Sequence, residues 1–494
     1  MRHLLKVVPL VAALLTPGGA ASQQAPGTAQ GDIAETVTTG SGPVRGTKEG
    51  AVAVYRGIPY AAPPVGNLRW RAPQVPARWS MTRDAFAFSK ACPQAGGPIP
   101  GFPPEPQSED CLYLNVWAPS PRAAKPRAVM VWLHGGGNIN GSASVAPYSG
   151  YSLAAKDVVV ISLNYRLGAL GFLAHKELGR ERSNGASGNY GMMDIIAALK
   201  WVRANARAFG GDPDNVTVFG HSAGAWNMSQ LEVSPLARGL YRRIIAMSGA
   251  NFGPSGSRHG IAMLSDAEAA GARLAAHLHA ASLADLRALP ADRIVQVPAT
   301  VWPGKNLAGG VLGIVDGYVI PGDPYTRYAG GKANRADLLL GYTAAESDGA
   351  APASAAAYMG EVRDVYGDFA DRILALYPAR SDAEAIQSQA RLSGEVAFKW
   401  QMMTWARTHE KTRRGQVYFY RFSHTPGIGP FRKLGPGHGA ELGYVFDFPK
   451  RAWRYAAQSP EKAALDVAMI DTIQDYWVNF ARTGDPNGTD LPHW

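Results

Sequence analysis

Cysteine is almost absent from this chain: only Cys92 and Cys111 occur in 494 residues. At most one bridge can form, and no Cys/His cluster is available to hold a metal. No HExxH pattern is present either, so neither metal catalysis nor a cofactor is expected. Beyond the first residues no apolar run is long enough to cross a bilayer, which argues against a stable membrane anchor. Low-complexity linkers, long charge runs and internal repeats are also missing after the first few dozen residues, so the chain reads as one large domain with insertions. The formal charge is +10, but Lys and Arg are scattered and the densest clusters are short, such as Lys411-Thr412-Arg413-Arg414. Without an accompanying nucleic-acid motif this is a solvated basic surface, and nucleic acid is not expected as a partner. Nothing in the sequence bears on oligomeric state.

What is present is 46% hydrophobic and 18% charged, with ample length to bury a large core. At the N-terminus Arg2 and Lys6 precede an apolar run from Val7 to Leu15, followed by Pro17-Gly18-Gly19-Ala20-Ala21. This order predicts a secretory signal peptide over 1–21, cleaved after Ala21, then a disordered leader over 22–32 and a single domain over 33–494. Export to the periplasm or the medium follows, and in an oxidising compartment Cys92 and Cys111 are predicted to close a disulfide. A cytosolic chain would instead keep two buried thiols. The proline-rich segment between them can be neither helix nor central strand, so the bridge would hold down a loose loop.

Short β-rich runs alternate with helix-period segments, the signature of an α/β fold with a mostly parallel sheet. Val129 to Leu133, Val158 to Leu163, Val216 to Phe219, Ile244 to Met247, Leu338 to Leu340 and Val417 to Phe422 read as successive buried strands. Met192 to Phe209 has helical spacing without internal Pro or Gly. Leu465, Met469, Ile473, Tyr476 and Phe480 mark one face of another helix, stopped by Gly484-Asp485-Pro486-Asn487-Gly488. The Ala-rich stretch Ser265 to Leu289 reads as helix in an insertion over one end of the sheet.

Gly220-His221-Ser222-Ala223-Gly224 follows the run Val216-Thr217-Val218-Phe219 and leads into a helix-compatible segment. A sharp strand-to-helix turn needs small residues around the turning one and lifts its side chain clear of the sheet, which makes Ser222 a candidate nucleophile. A serine hydroxyl needs a base, a group that orients the base, and donors for the oxyanion. His134-Gly135-Gly136-Gly137 follows the strand Val129 to Leu133, and its glycines let backbone N–H groups approach a reacting carbonyl. His438, in Gly435-Pro436-Gly437-His438-Gly439 after the last strand, is the candidate base. For the acid, Glu346 lies just beyond Leu338-Leu339-Leu340-Gly341, with Asp348 as its rival two residues on. The order Ser, acid, His is that of the α/β-hydrolases.

Tyr55-Arg56-Gly57-Ile58-Pro59-Tyr60-Ala61, Gly66 to Trp70 (GNLRW), Glu109-Asp110-Cys111-Leu112-Tyr113-Leu114-Asn115-Val116-Trp117 and Phe209-Gly210-Gly211-Asp212-Pro213 extend the pattern. With these stretches nearly the whole mature chain resembles the type-B carboxylesterases, the family that also includes the cholinesterases. The resemblance implies an α/β-hydrolase fold with helical insertions over the active site. It also implies that Ser222, Glu346 and His438 form a triad, that Gly136, Gly137 and Ala223 supply the oxyanion N–H groups, and that Cys92 and Cys111 are the family's early disulfide pair. Three departures stand out. His221 occupies a place where relatives usually carry Glu, and it is expected to lie behind the serine rather than act as base. Ala345-Glu346-Ser347 replaces the usual Asp-Glu-Gly, and the chain stops at Leu491-Pro492-His493-Trp494 where relatives run on.

The expected reaction is two-step acyl transfer to water from a small-molecule carboxylic ester, losing rate as pH falls through about 6 to 7. The segment between the cysteines contains Phe102 and no Trp, which argues against choline esters. Asn138, Ile139, Trp226, Phe252 and Trp302 are candidate pocket residues, with core packing an equal reading for the aromatics. Two alternatives stand beside a general esterase: a hydrolase dedicated to one natural-product, xenobiotic or toxin ester, and a catalytically silent binding protein, which the retention of all three triad positions disfavours.

Overall fold

A computed structural model describes residues 32–96, 105–255, 260–302, 311–347, 351–426, 435–447 and 460–494. The predicted signal peptide, all of the predicted leader except Asp32, Phe102 and Asp348 lie outside these. The principal sheet contains β1 (Ile33–Thr38), β2 (Pro43–Glu49), β3 (Val52–Pro59), β4 (Arg83–Asp84), β5 (Tyr113–Pro119), β6 (Arg127–Leu133), β7 (Val159–Leu163), β8 (Gly211–His221) and β9 (Arg243–Met247). A small parallel pair, β10 (Ala262–Met263) and β11 (Ile314–Val315), stands apart, and β12 (Asp337–Thr343) and β13 (Val417–Phe422) complete the principal sheet. Its strand order is β1-β2-β3-β5-β7-β6-β8-β9-β12-β13, with β4 paired to β2. From β7 to β13 every neighbouring pair is parallel, while β1, β2, β3, β5 and β7 pair antiparallel.

All six strands expected from the sequence are in this parallel half. Their apolar runs are continuous because helices cover both faces, so alternate residues enter different cores. Along β6, Val129, Val131 and Leu133 join the larger core with Ile195, Leu199 and Met228. Ala128, Met130 and Trp132 point to the opposite core with Phe219, Ile245, Trp477 and Phe480. One expectation needs correction: β13 is not fully buried. As the outermost strand it has a neighbour on one side only, and only Phe422 of its residues is buried.

The helix expected from Met192 spans Tyr190–Asn205 and tightens to a 3-10 turn over Ala206–Phe209. The Ala-rich stretch is two helices, Leu264–His277 and Leu283–Ala288, the second opened by a capping box between Ser282 and Asp285. The last helix spans Pro460–Thr483. The sequence reading did not resolve the region between β12 and β13, where helices Ala355–Tyr366 and Asp382–Gly394 share a small core of their own. Helix Asp382–Gly394 runs on through a π-helical turn, Glu395–Lys399, into helix Trp400–Thr412. Among the described residues no helix is long and apolar enough to cross a membrane.

Order β7-β6-β8 means that the chain leaves β6 to one side and returns to its other side. Open α/β sheets form their crevices at such a reversal, outside the carboxyl ends of the strands. Residues His134–Gly137 leave β6 there, and Ser222 leaves β8.

Helix Ala223–Val233 lies wholly inside the molecule and carries the buried Glu232. Trp405 Nε1 donates to Glu232 Oε2 at 2.7 Å. Tyr328 Oη lies 3.3 Å from Glu232 Oε1 and 2.5 Å from His409 Nδ1. With the neutral His409 carrying its proton on Nδ1, that nitrogen donates to Tyr328 Oη and the phenol in turn donates to Glu232 Oε1. Burial, opposed by the hydrogen bonds from Trp405 and Tyr328 and by the charge of Arg414, pushes the Glu232 carboxyl up to about 8. Burial also holds His409 down to about 4, hence neutral. The folded state therefore keeps a proton on Glu232 that the unfolded chain releases near 4.5, and the stability this contributes is lost as pH rises from there through about 8. Glu232→Gln is expected to melt a few degrees above the wild type at pH 8, with the gap closing towards pH 5, as measured by calorimetry across that range.

Candidate active site

Ser222 sits between strand and helix at φ 56° and ψ −120°, a left-handed conformation that a serine adopts only under constraint. Its N–H donates to Met247 O at 2.9 Å, and its own carbonyl accepts from Trp226 N at 2.9 Å. The constraint is backbone crowding. A Cβ on Gly224 would collide with the Leu133 carbonyl, and one on Gly249 with the carbonyl of Ser222 itself. Glycine at both places lets the carboxyl ends of β6, β8 and β9 close around the turn.

The loop leaving β6 is fixed from several directions. Ile139 N and Asn140 N both donate to Gly136 O at 3.0 Å, and Gly137 O accepts from Val311 N at 2.6 Å. Asn138 is buried, its Nδ2 donating to Val311 O at 2.8 Å and its Oδ1 accepting from Asn227 Nδ2 at 2.9 Å. Gly136 and Gly137 take φ 101° and 62°, conformations that favour glycine. The N–H groups of Gly136, Gly137 and Ala223 have no acceptor among the described residues. A Cβ on Gly135 would lie 3.2 Å from Ser222 Cβ, so loop and elbow are in contact.

Glu346 and His438 meet on the other side. His438 Nδ1 lies 2.7 Å from Glu346 Oε2, while Glu346 Oε1 accepts from Thr343 N at 2.9 Å. The two loops are joined by an isolated bridge between Ala345 and Gly437, with Ala345 N donating to Pro436 O at 3.0 Å. A carboxylate on Nδ1 fixes that nitrogen as the proton carrier and leaves Nε2 as the basic one. Burial alone would lower the His438 imidazole, but the charge and hydrogen bond of Glu346, with the charge of Glu441, outweigh it and hold it above 6.5. Burial would raise Glu346, yet His438, Ser248 and Thr343 hold it below its usual value.

Three residues here were not singled out from the sequence. Glu441 is buried, accepts from Ser248 Oγ at 3.4 Å, and is pushed up to about 7 by burial and by the charge of Glu346. Phe398, on the π-helical turn, stacks against His438 with ring centroids 4.4 Å apart. Gly249 carried a legible signal, a glycine just past the strand at Met247; the other two depend on contacts between distant segments. Of the pocket candidates, Phe252 packs on Tyr328 and Trp405 in the main core, and Trp302 belongs to the same core. Trp226 lies with Ala223 and Phe398, and Ile139 is 38% exposed. Away from the elbow, Cys92 and Cys111 form a disulfide, and Ala91 pairs with Gln107 across the loop it closes.

A family model described as "Carboxylesterase family" matches residues 33–494. The chain is 37% identical over 462 residues to the fumonisin B1 esterase of Sphingopyxis macrogoltabida, covering 92% of this chain and 83% of that protein. It is 34% identical over 472 residues to the para-nitrobenzyl esterase of Bacillus subtilis (strain 168), covering 93% and 92%. With the acetylcholinesterase of Bungarus fasciatus it shares 32% over 496 residues, covering 91% and 78%. Among solved structures, a PNB esterase aligns with TM-score 0.78 at 33% identity over 93% of this chain and 92% of that one.

Because Gly249 abuts the Ser222 carbonyl, Gly249→Ala is expected to cost about 2 kcal/mol of stability. It should also displace the elbow enough to cut ester turnover by about 100-fold. Urea unfolding and steady-state kinetics check the two arms separately.

Proposed function

The chain belongs to the carboxylesterase family and is a carboxylic ester hydrolase, and on that premise we propose that Ser222, His438 and Glu346 are its nucleophile, its base and the carboxylate that orients the base. The fold is the α/β-hydrolase fold of its structural neighbours. The observation that carries the proposal is the 2.7 Å contact between His438 Nδ1 and Glu346 Oε2, on a ring that packs against His221, the residue before the strained serine.

In this reading Ser222 Oγ attacks the ester carbonyl as its proton passes to His438 Nε2. The oxyanion is held by the N–H groups of Gly136, Gly137 and Ala223. His438 then gives its proton to the departing alkoxide, and a water deprotonated by the same nitrogen releases the acid from the acyl-enzyme. Glu346 stays ionised throughout, and its charge stabilises the imidazolium of each transition state. We further propose that residues 1–21 direct export, in keeping with the disulfide, and that 33–494 fold as one hydrolase domain.

The substrate is a small-molecule carboxylic ester. A second reading, a hydrolase dedicated to one natural-product or toxin ester, is favoured by the 37% identity to an esterase named for fumonisin B1.

The mature chain is expected to hydrolyse p-nitrophenyl acetate, butyrate and octanoate, and Ser222→Ala to abolish this by about a million-fold in kcat; retained turnover would remove Ser222 from the reaction. Since His438 must be neutral and its pKa is raised, kcat/KM is expected to fall as pH drops through a midpoint above 6.5. A flat profile between pH 5 and 9 would exclude His438 as base.

A further inference from the structure

His221 is a buried imidazole that the proposed reaction does not use. It ends β8, is 6% exposed, and its Nε2 has no hydrogen-bond partner among the described residues. Its ring fills the space between two loops. A Cβ on Gly135 would lie 3.4 Å from its Nδ1, and one on Gly439 3.3 Å from its Cε1. From that position it packs on His438, with ring centroids 4.4 Å apart and planes inclined by 42°. Phe398 also contacts the His438 ring, with centroids again 4.4 Å apart and planes inclined by 36°.

We propose that His221 is a positioning residue for ester hydrolysis, which together with Phe398 forms an uncharged aromatic slot that holds the His438 ring in register with Ser222. The inference rests on the Ser222–His438 reading above. An imidazole tethered only through Nδ1 to Glu346 can still rotate about that hydrogen bond, swinging Nε2 away from the serine, and ring contacts oppose this. A cation in the slot would oppose the reaction, because His438 becomes cationic in each transition state. Burial, and secondarily the charge of His438, keep His221 well below the ordinary imidazole range, so it stays unprotonated when its neighbour is charged. Among the described residues the charge that acts on His221 is that of His438, while Gly135 after β6, Gly439 of the base loop and Met247 at the end of β9, which lie against it, carry none. Glu346 and Glu441 belong to the cluster around His438 and act on that ring.

Three variants test this with p-nitrophenyl acetate, active-site concentration being fixed by fluorophosphonate titration. His221→Gln keeps the slot neutral but loses the flat ring, and is expected to lower kcat roughly 10- to 100-fold with KM within about twofold and the acid limb of kcat/KM unmoved. Phe398→Leu, which conserves apolar volume, should give the same pattern. His221→Glu places a carboxylate beside the base and should move the acid limb up by about one pH unit or more. Normal kcat in both His221→Gln and Phe398→Leu would overturn the proposal, as would an unmoved limb in His221→Glu. If His221→Gln folds poorly, Phe398→Leu decides the kcat arm. Failure of the underlying reading looks different: wild-type enzyme would take up no fluorophosphonate, or Ser222→Ala would remain active.

Discussion

The close approach of three strand ends around Ser222 is the constraint on which the rest of this molecule depends. The backbone at Ser222 holds a left-handed conformation, and the neighbouring chain comes so near that neither Gly224 nor Gly249 has room for a methyl group. A strained serine costs on the order of 1–3 kcal/mol, and it persists only where its surroundings over-determine it. Here they do so through sheet pairing on both sides of β8, the hydrogen bond from Ser222 N to Met247 O, and a helix that starts at once and is buried along its length. The same crowding brings Gly135 against Ser222, so the proposed nucleophile and the loop after β6 are positioned by one packing event.

Around that point the electrostatics are layered. His438 is raised by Glu346 and Glu441, whereas His221 and the more distant His409 are held low chiefly by burial. Burial also raises Glu441 and Glu232, and nearby charge pulls Glu346 the other way. Similar side chains thus receive different protonation states from how deeply they sit and what faces them. The imidazole proposed as base is the partly exposed one, with a side chain 25% exposed.

The parallel half of the sheet was legible because a strand covered on both faces is apolar throughout, and β6, β7, β8, β9 and β12 read that way. Ser222 and Glu346 stood out as candidates because each follows such a strand, and His438 because it sits on a Gly-rich loop after the last strand. The antiparallel strands β1 and β2 escaped notice because few of their residues are buried and their apolar runs are short, as in Pro43–Glu49. Helices Ala355–Tyr366 and Asp382–Gly394 were missed for a different reason: they share a small core of their own, so neither segment is strongly apolar. Phe398, Glu441 and Ser248 belong to the site only through contacts among segments far apart in the chain, which no local pattern records.

Glu346 and His438 are 92 residues apart, and the loops that carry them are stitched together by Ala345 and Gly437 at the outer edge of the sheet. Between them the chain builds a separate helical unit, and only afterwards does β13 pair with β12. Such non-local pairings form late, since loop closure has to precede any gain from the contact. On the proposed triad, hydrolysis needs both of these loops in place. A fragment ending before His438 would lack the proposed base, so turnover in this protein doubles as a report that the two distant loops have come together.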